Sequence, residues 1–373
     1  MTREIGLDVR QALAWRLDRH RLGTEGATDA VDVVRRVVAL RGWPADRADL
    51  AVGVRLASPR PGMLRPALDD DELVLAYAFR GGAYVMDARA ASVLLTVRRT
   101  TRVWESARYQ RQAGFELDDW APFRAAVRDL LGEGPASRDE IAVHLAGSPS
   151  LAHLVPAADG RGSDALYKPL HWWGDLSFGP TRDGRATFRL APDSGDETGI
   201  GADSDAAIDA AGRAAVELYL AAYAPATEAN LLYWLGEGLS APRSRIRRWL
   251  DAAEVVPVTV HGVDSWVRPA DLDEIRSARP SGVVRLLPAH DSWVLGPGTA
   301  DERIVPTAHR AAVSRGADLV VRDGVVVGTW RLRGHEVSVE WFDDREAATA
   351  HEVGEELARV GRARGATLTL ADD

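Results

Sequence analysis

No cysteine occurs among the 373 residues of the chain, which excludes disulfides, thiolate metal sites and cysteine nucleophiles. Lysine is nearly as scarce: Lys168 is the single example, so the positive charge is almost wholly arginine. Arginine forks grip phosphates bidentately, although a GC-rich coding bias exchanges lysine for arginine just as well. No stretch reaches the ~18 uninterrupted apolar residues of a membrane span. The opening residues Met1 to Asp8 lack the apolar core of a secretory signal, so a cytoplasmic protein with no membrane contact is expected. There is no surplus of positive charge either. The net charge of −9 argues against a protein that coats DNA through overall basicity, and the local distribution of charge has to decide. Metal-ligand spacings, phosphate-cradling glycine loops and nucleophile elbows are also missing, so no cofactor is expected.

With 46% hydrophobic and 27% charged residues the composition is that of a globular protein of two to four domains. The pattern repeats along it. Residues 11–17 and 30–40 carry apolar side chains at helical spacing, and 49–56 reads as helix or strand. Asp70-Asp71-Glu72 suits the start of a short helix, whose positive end favours acids. Arg80-Gly81-Gly82 turns into a strand. A second round follows: an amphipathic helix over 120–131, Ser137 and Glu140 placed as a capping box, a helix over 169–173, and two strands about the hairpin turn Asp183-Gly184. Residues 191–205 form a Gly/Asp/Ser-rich linker. A third round has helices over 210–223 and 240–253, a helix capped by Thr227 between them, and a hairpin about Gly262. The remainder is strand-rich, with a helix over 345–364 and a short strand over 366–370. Three helices and a hairpin make the winged helix-turn-helix pattern. The expected fold is therefore α+β: three tandem winged helix-turn-helix domains (1–114, 115–200 and 201–279) followed by a β-rich, barrel-like domain (280–373).

The ordered motifs also resemble one bacterial family. They are Ala12-Leu13-Ala14-Trp15-Arg16-Leu17, Tyr77-Ala78-Phe79-Arg80-Gly81, Gly174-Asp175-Leu176-Ser177-Phe178-Gly179-Pro180 and Tyr219 to Thr227. The clearest are Val284 to Gly296, which contains Leu287-Pro288-Ala289-His290-Asp291-Ser292-Trp293, and Asp323 to Leu332. The family has repeated winged-helix domains and includes DNA glycosylases that unhook interstrand crosslinks and excise bulky alkylated purines. The resemblance implies a Leu-Gln-x-Gln or Leu-Gln-x-Asp motif after the second helix, whose polar side chains hold the attacking water and steady the positive charge growing on the sugar. The matching residues here are Leu40-Arg41-Gly42-Trp43. Arg41 accepts no hydrogen bond and Trp43 offers only an N–H. The family's Arg-Gly-Thr-x-His reads Arg80-Gly81-Gly82-Ala83-Tyr84, again without its chemical members. The catalytic residues are therefore unassigned.

What remains points to double-stranded DNA. Arg41 and Trp43 suit a phosphate contact and a stack on an exposed base, and Arg80 and Tyr84 of the second motif are further candidates for DNA contact. Arg243, Arg245, Arg247 and Arg248 crowd the third helix of the third round, where a recognition helix lies. Arg182 and Arg185 flank a wing turn. Each group reads equally as a solvated surface. The basic run Arg98, Arg99, Arg102, Arg108 and Arg111 stands beside Trp104 and Tyr109 and suits backbone contact. His171-Trp172-Trp173 reads as packing, His290-Asp291 as an acid–base dyad or a structural turn, and Asp69 to Glu72 as an acidic helix start. The expectation is a DNA-binding protein that recognises alkylated or modified DNA without the usual glycosylase chemistry. Two alternatives stay open: a divergent monofunctional glycosylase acting in repair or genotoxin self-resistance, and a binder of a DNA-reactive small molecule. An uncharged aromatic groove favours the small molecule; a connected arginine strip favours DNA.

Overall fold

The computed structural model describes residues 5–159, 164–192 and 203–371. One connectivity recurs three times in its mixed helix-and-strand fold. The first unit runs from helix Ala30–Val37 through the two-residue strand Leu40–Arg41 to helices Ala45–Gly53 and Leu64–Asp69, then the hairpin Val74–Tyr77 and Ala83–Met86. The short strand pairs with the second arm of the hairpin, which places that arm in the middle of the sheet. The second unit repeats this order with helices Trp120–Gly132, Arg138–Ala146 and Lys168–Trp173, strand Ala136–Ser137, and hairpin Leu176–Phe178 and Thr187–Leu190.

In the third unit the helices are Asp205–Tyr223, Glu228–Leu231 with its wider continuation Leu232–Gly238, and Arg243–Asp251. Ala226 alone bridges Trp266 on the hairpin Val256–Val260 and Val263–Val267. The far edge of that hairpin takes the strand Gly6–Leu7, parallel, from the start of the chain.

Local chemistry explains the starts of these elements. Ser137 and Glu140 form a reciprocal capping box, and so do Thr227 and Asn230, each satisfying otherwise orphaned helix N–H groups. Asp183 and Gly184 both take positive φ in the hairpin turn, the conformation that such two-residue hairpins need. Residues 49–53 belong to helix Ala45–Gly53. The acids at 70–72 correct an expectation: they follow helix Leu64–Asp69 instead of opening one, and Asp71 pairs with Arg189 at 2.8 Å. Most of the 191–205 linker lies outside the described residues, and Asp205 already begins a helix.

The last part is a five-stranded sheet in linear order: Val284–Leu287, Asp318–Arg322, Val325–Arg333, Glu336–Trp341 and Thr369–Leu370. Among the described residues its first and last strands do not pair with each other, so the β-rich, barrel-like part expected is a curled, open sheet. A register shift between Val320 and Val321 adds to the curl. Helix Ala350–Arg364, later in starting than expected because Thr349 is its cap, covers one face. Its Ala363 presses so closely on Gly53 that a Cβ there would sit 2.6 Å away. Leu13, Leu17, Leu50 and Val54 of the N-terminal helices share one apolar core with this sheet. The beginning and the end of the chain are thereby packed together.

Candidate functional site

Where the first unit meets the C-terminal sheet, a cleft of about 210 Å³ opens. One wall is the strand Leu40–Arg41 and the turn after it. Gly42 donates its N–H to the Ala83 carbonyl at 2.8 Å, so closely packed that a Cβ would come within 2.3 Å of Leu75. The chain then swings outward. Trp43 is 44% exposed, while every other tryptophan is buried or half-buried. Arg41 Nε donates to the Trp43 carbonyl at 3.1 Å, and the terminal nitrogens of Arg41 have no partner among the described residues. Both side chains line this cleft.

The opposite wall is Pro288-Ala289-His290-Asp291, which links strand Val284–Leu287 to the helical turn Ser292–Leu295. Asp291 accepts from Arg55 at 2.6 and 2.8 Å, with both side chains fully buried, and also caps the Trp293 N–H at 2.7 Å. Its partner is thus Arg55 and not His290, which rules out the dyad and leaves the structural turn. Ser292 donates to the Ala39 carbonyl at 3.1 Å. Asp318 accepts from Arg47 and, at 2.7 Å, from the Ala289 N–H. These bonds clamp the two walls together. His290, at φ 59°, lies over Gly316, and no hydrogen bond engages its ring among the described residues. Burial holds its pKa below the ordinary histidine value; Arg41 and Arg47 push the same way, and Asp318 opposes them. The imidazole is consequently neutral near pH 7.

Arg80 and Tyr84 stand near the same wall. Tyr84 pairs with Arg41 in the sheet but is only 7% exposed, against Phe79. Burial raises its pKa, opposed by Arg41 and Arg80. Arg80, at φ 51°, lays its guanidinium 4.3 Å from the ring centre of Tyr233, a cation–π contact. Of the expected residues of the first unit, Arg41 and Trp43 thus line the cleft, while Arg80 and Tyr84 are not part of its lining.

Those of the other units are held elsewhere by acids. Arg182 pairs with Glu140, and Arg185 with Asp139 at 2.6 Å. Arg245 pairs with Asp205 and Asp209, Arg247 with Glu228 at 2.6 Å, and Arg248 with Asp209 at 3.2 Å. Arg243 is exposed, with no partner among the described residues. In the basic run, Arg98 stacks on Trp172 at 4.3 Å and the buried Arg99 pairs with Asp203. His171 and Trp172 are packed inside, as expected.

Two further openings bear on function. A groove of about 1300 Å³ interleaves Arg10, Arg303 and Arg310 with Glu237, Asp301 and Asp343. It is neither an uncharged aromatic groove nor a connected arginine strip. A cleft of about 370 Å³, lined by Leu64, Leu68, Leu75 and Phe178 together with Asp46, Asp49, Arg65 and Asp69, lies on the other side of Trp43, which borders both clefts. Arg47, Arg55 and Tyr233 had no signal in the sequence, because each finds its partner through the fold.

This cleft belongs to a fold shared with DNA-repair proteins. The chain is a member of the family described as DNA glycosylase AlkZ-like, whose signature matches residues 34–363. It is 31% identical over 364 residues to an interstrand DNA cross-link repair glycosylase of Streptomyces sahachiroi, covering 95% of this chain and 96% of that one. The solved structure of Streptomyces sahachiroi DNA glycosylase AlkZ superposes with a TM-score of 0.88 at 29% identity, over 98% of this chain and 100% of the other.

Proposed function

We propose that this protein reads alkylated or otherwise modified double-stranded DNA at the cleft between Arg41/Trp43 and His290/Asp291. In this reading it does so without the hydrolytic mechanism of a glutamine pair. The observation that carries the proposal is the exposed Trp43 held beside Arg41, at the two positions where the family resemblance implies water-holding side chains. An indole offers a face to a base unstacked by damage, and the outer guanidinium N–H groups, without a partner among the described residues, offer donors to the damaged nucleotide. Neither positions water for attack on a glycosidic carbon. The nearby carboxylates are engaged as well: Asp291 by Arg55, and Asp318 by Arg47 and the Ala289 N–H.

The three repeated units are read as winged-helix domains, 1–114, 115–200 and 201–279, ahead of a β-rich domain at 280–373. The protein would act in the cytoplasm, where bacterial DNA lies. A second reading keeps an enzyme. His290 is neutral, lines the same cleft and has no hydrogen-bond partner among the described residues; a neutral imidazole is a competent general base. The small-molecule alternative is weaker, since the groove of about 1300 Å³ is densely charged.

The deciding experiment uses one labelled duplex, with and without an N7-alkylguanine, at two salt concentrations. Salt-sensitive, lesion-dependent binding without alkali-revealed strand breaks supports a reader. Breaks above the spontaneous rate establish a glycosylase, and a His290→Ala variant then tests the base. Neither binding nor breaks moves the small-molecule reading forward.

A further inference from the structure

We propose that the cleft selects electrically neutral base lesions over cationic ones, with Arg41 as the residue that discriminates. This rests on the reading of the cleft as the lesion site. Alkylation at a purine ring nitrogen such as N7 leaves a formal positive charge on the base. Opening of the imidazole ring removes that charge and keeps the alkyl group. The two forms can sit in one sequence context and differ chiefly in charge and in the shape of one ring.

The charges along the cleft cancel in pairs, with one exception. Asp291 is the one carboxylate lining it among the described residues, and the bidentate pair with buried Arg55 cancels it. Arg47, also in the lining, is cancelled by Asp318. Burial and the neighbouring arginines keep His290 uncharged near neutral pH. Arg41 is left over. Its Nε is spent on the Trp43 carbonyl, which leaves the outer nitrogens without a partner among the described residues, in the lining that Trp43 shares. The cleft therefore presents one uncompensated positive charge beside its stacking surface. Asp46, Asp49 and Asp69 line the neighbouring cleft across Trp43 and not this one; Asp49 is bonded to the backbone of Gly62 and Leu64, and Asp69 pairs with Arg65.

Like charges brought together in a partly dry cleft suppress the wrong partner more than they weaken the right one. A cationic purine stacked on Trp43 meets the Arg41 guanidinium. A neutral ring-opened purine meets a hydrogen-bond donor, and its new formyl oxygen is an acceptor suited to it. A glutamine at position 41 would carry no such bias, so the departure from the family motif changes which lesions are read as well as what is done to them.

The test measures binding of the full-length protein to three versions of one duplex by fluorescence anisotropy. One is unmodified, one carries N7-methylguanine, and one carries its alkali-opened formamidopyrimidine. The opened form is expected to bind about fivefold or more tighter than the cationic form at low salt, with the ratio shrinking as salt is raised. Arg41→Gln is expected to bring the ratio close to one, whereas Trp43→Ala should weaken both lesions together. Equal binding of the two lesions, or tighter binding of the cationic one, overturns this inference while leaving lesion reading intact. A preference that survives Arg41→Gln overturns the assignment to Arg41. Failure of both lesions to bind better than unmodified duplex overturns the lesion site itself and this inference with it.

Discussion

Arg55 and Asp291 form a doubly hydrogen-bonded ion pair, at 2.6 and 2.8 Å, with neither side chain reaching solvent. It joins the end of the helix Ala45–Gly53 to the turn that carries His290, so it fixes the distance between the two walls of the cleft. Removing one member leaves the other charge stranded in a dry interior. Asp291→Ala is expected to destabilise the protein by about 3–5 kcal/mol, read from urea midpoints. Replacing both partners with apolar residues, Arg55→Met with Asp291→Leu, should recover most of that loss. A double variant no better than the single one would show that the capping bond to Trp293 matters more than the charge.

Trp43 tests the interface from the other side. Being half in water, it contributes little to folding, so Trp43→Ala should leave the melting temperature within a degree or two. Stacking of a base on an aromatic ring is worth about 1–3 kcal/mol, so the same change should weaken lesion binding roughly 5- to 150-fold. Unchanged affinity would place the DNA elsewhere.

The arginines of the helix Arg243–Asp251 give a contrasting expectation. Arg247 and Arg248 are matched by Glu228 and Asp209, and drawing them onto phosphates means breaking those pairs. The double variant Arg247→Ala/Arg248→Ala should change the salt dependence of DNA binding less than Arg41→Gln does alone. Removing a single arginine–phosphate pair lowers the slope by about one unit. A drop of two units in the double variant would make this helix the main phosphate-binding element.

Acid sensitivity follows from His171. It is fully buried among Tyr77, Phe178 and Phe188, and both ring nitrogens lack partners. Burial, followed by the field of Arg138, pushes its pKa down to about 3. The unfolded chain takes up a proton near the ordinary histidine pKa of about 6.5, whereas the folded one does not. Stability is thus fully present above that value and is lost as the pH falls from there toward 3. The loss is about 1.4 kcal/mol per pH unit for this one group. His171→Phe should flatten the decline in melting temperature between pH 7 and 5; an unchanged decline would assign it to other groups, such as the buried His20.

Close helix packing supplies a further expectation. A Cβ on Gly212 would lie 2.1 Å from the Trp249 ring, which itself is fixed by a 2.8 Å bond from Nε1 to Asp209. Gly212→Ala gains helix propensity, yet overpacking at such a crossing costs about 1–3 kcal/mol. A net loss in thermal stability is expected, and an increase would mean that the two helices can separate freely.

The repeated units were legible because their signals are local. Ser137 with Glu140, Thr227 as a cap, and Asp183-Gly184 each act within four residues, and each holds its expected place. The acids at 70–72 misled for a related reason. The preference for acids at helix starts is weak, and Pro66, in the first turn of Leu64–Asp69, was the better marker of where that helix begins. The site was half legible. Arg41, Trp43, Arg80 and Tyr84 lie near one another along one small sheet. Their counterparts His290 and Asp318 come from segments far away in sequence, as does Asp291, the partner of Arg55, and periodicity carries no information about such meetings.

The strand Gly6–Leu7 is hydrogen-bonded beside Thr259 and Val260, and the wall facing Trp43 comes later still, at His290 and Asp291. During synthesis the earliest strand therefore waits, unpaired, until the third unit has emerged from the ribosome. The second wall is added after that. A nascent chain that has completed its first two units has Trp43 but not the opposite wall of the cleft, and a polypeptide released early would lack the place proposed to hold a base.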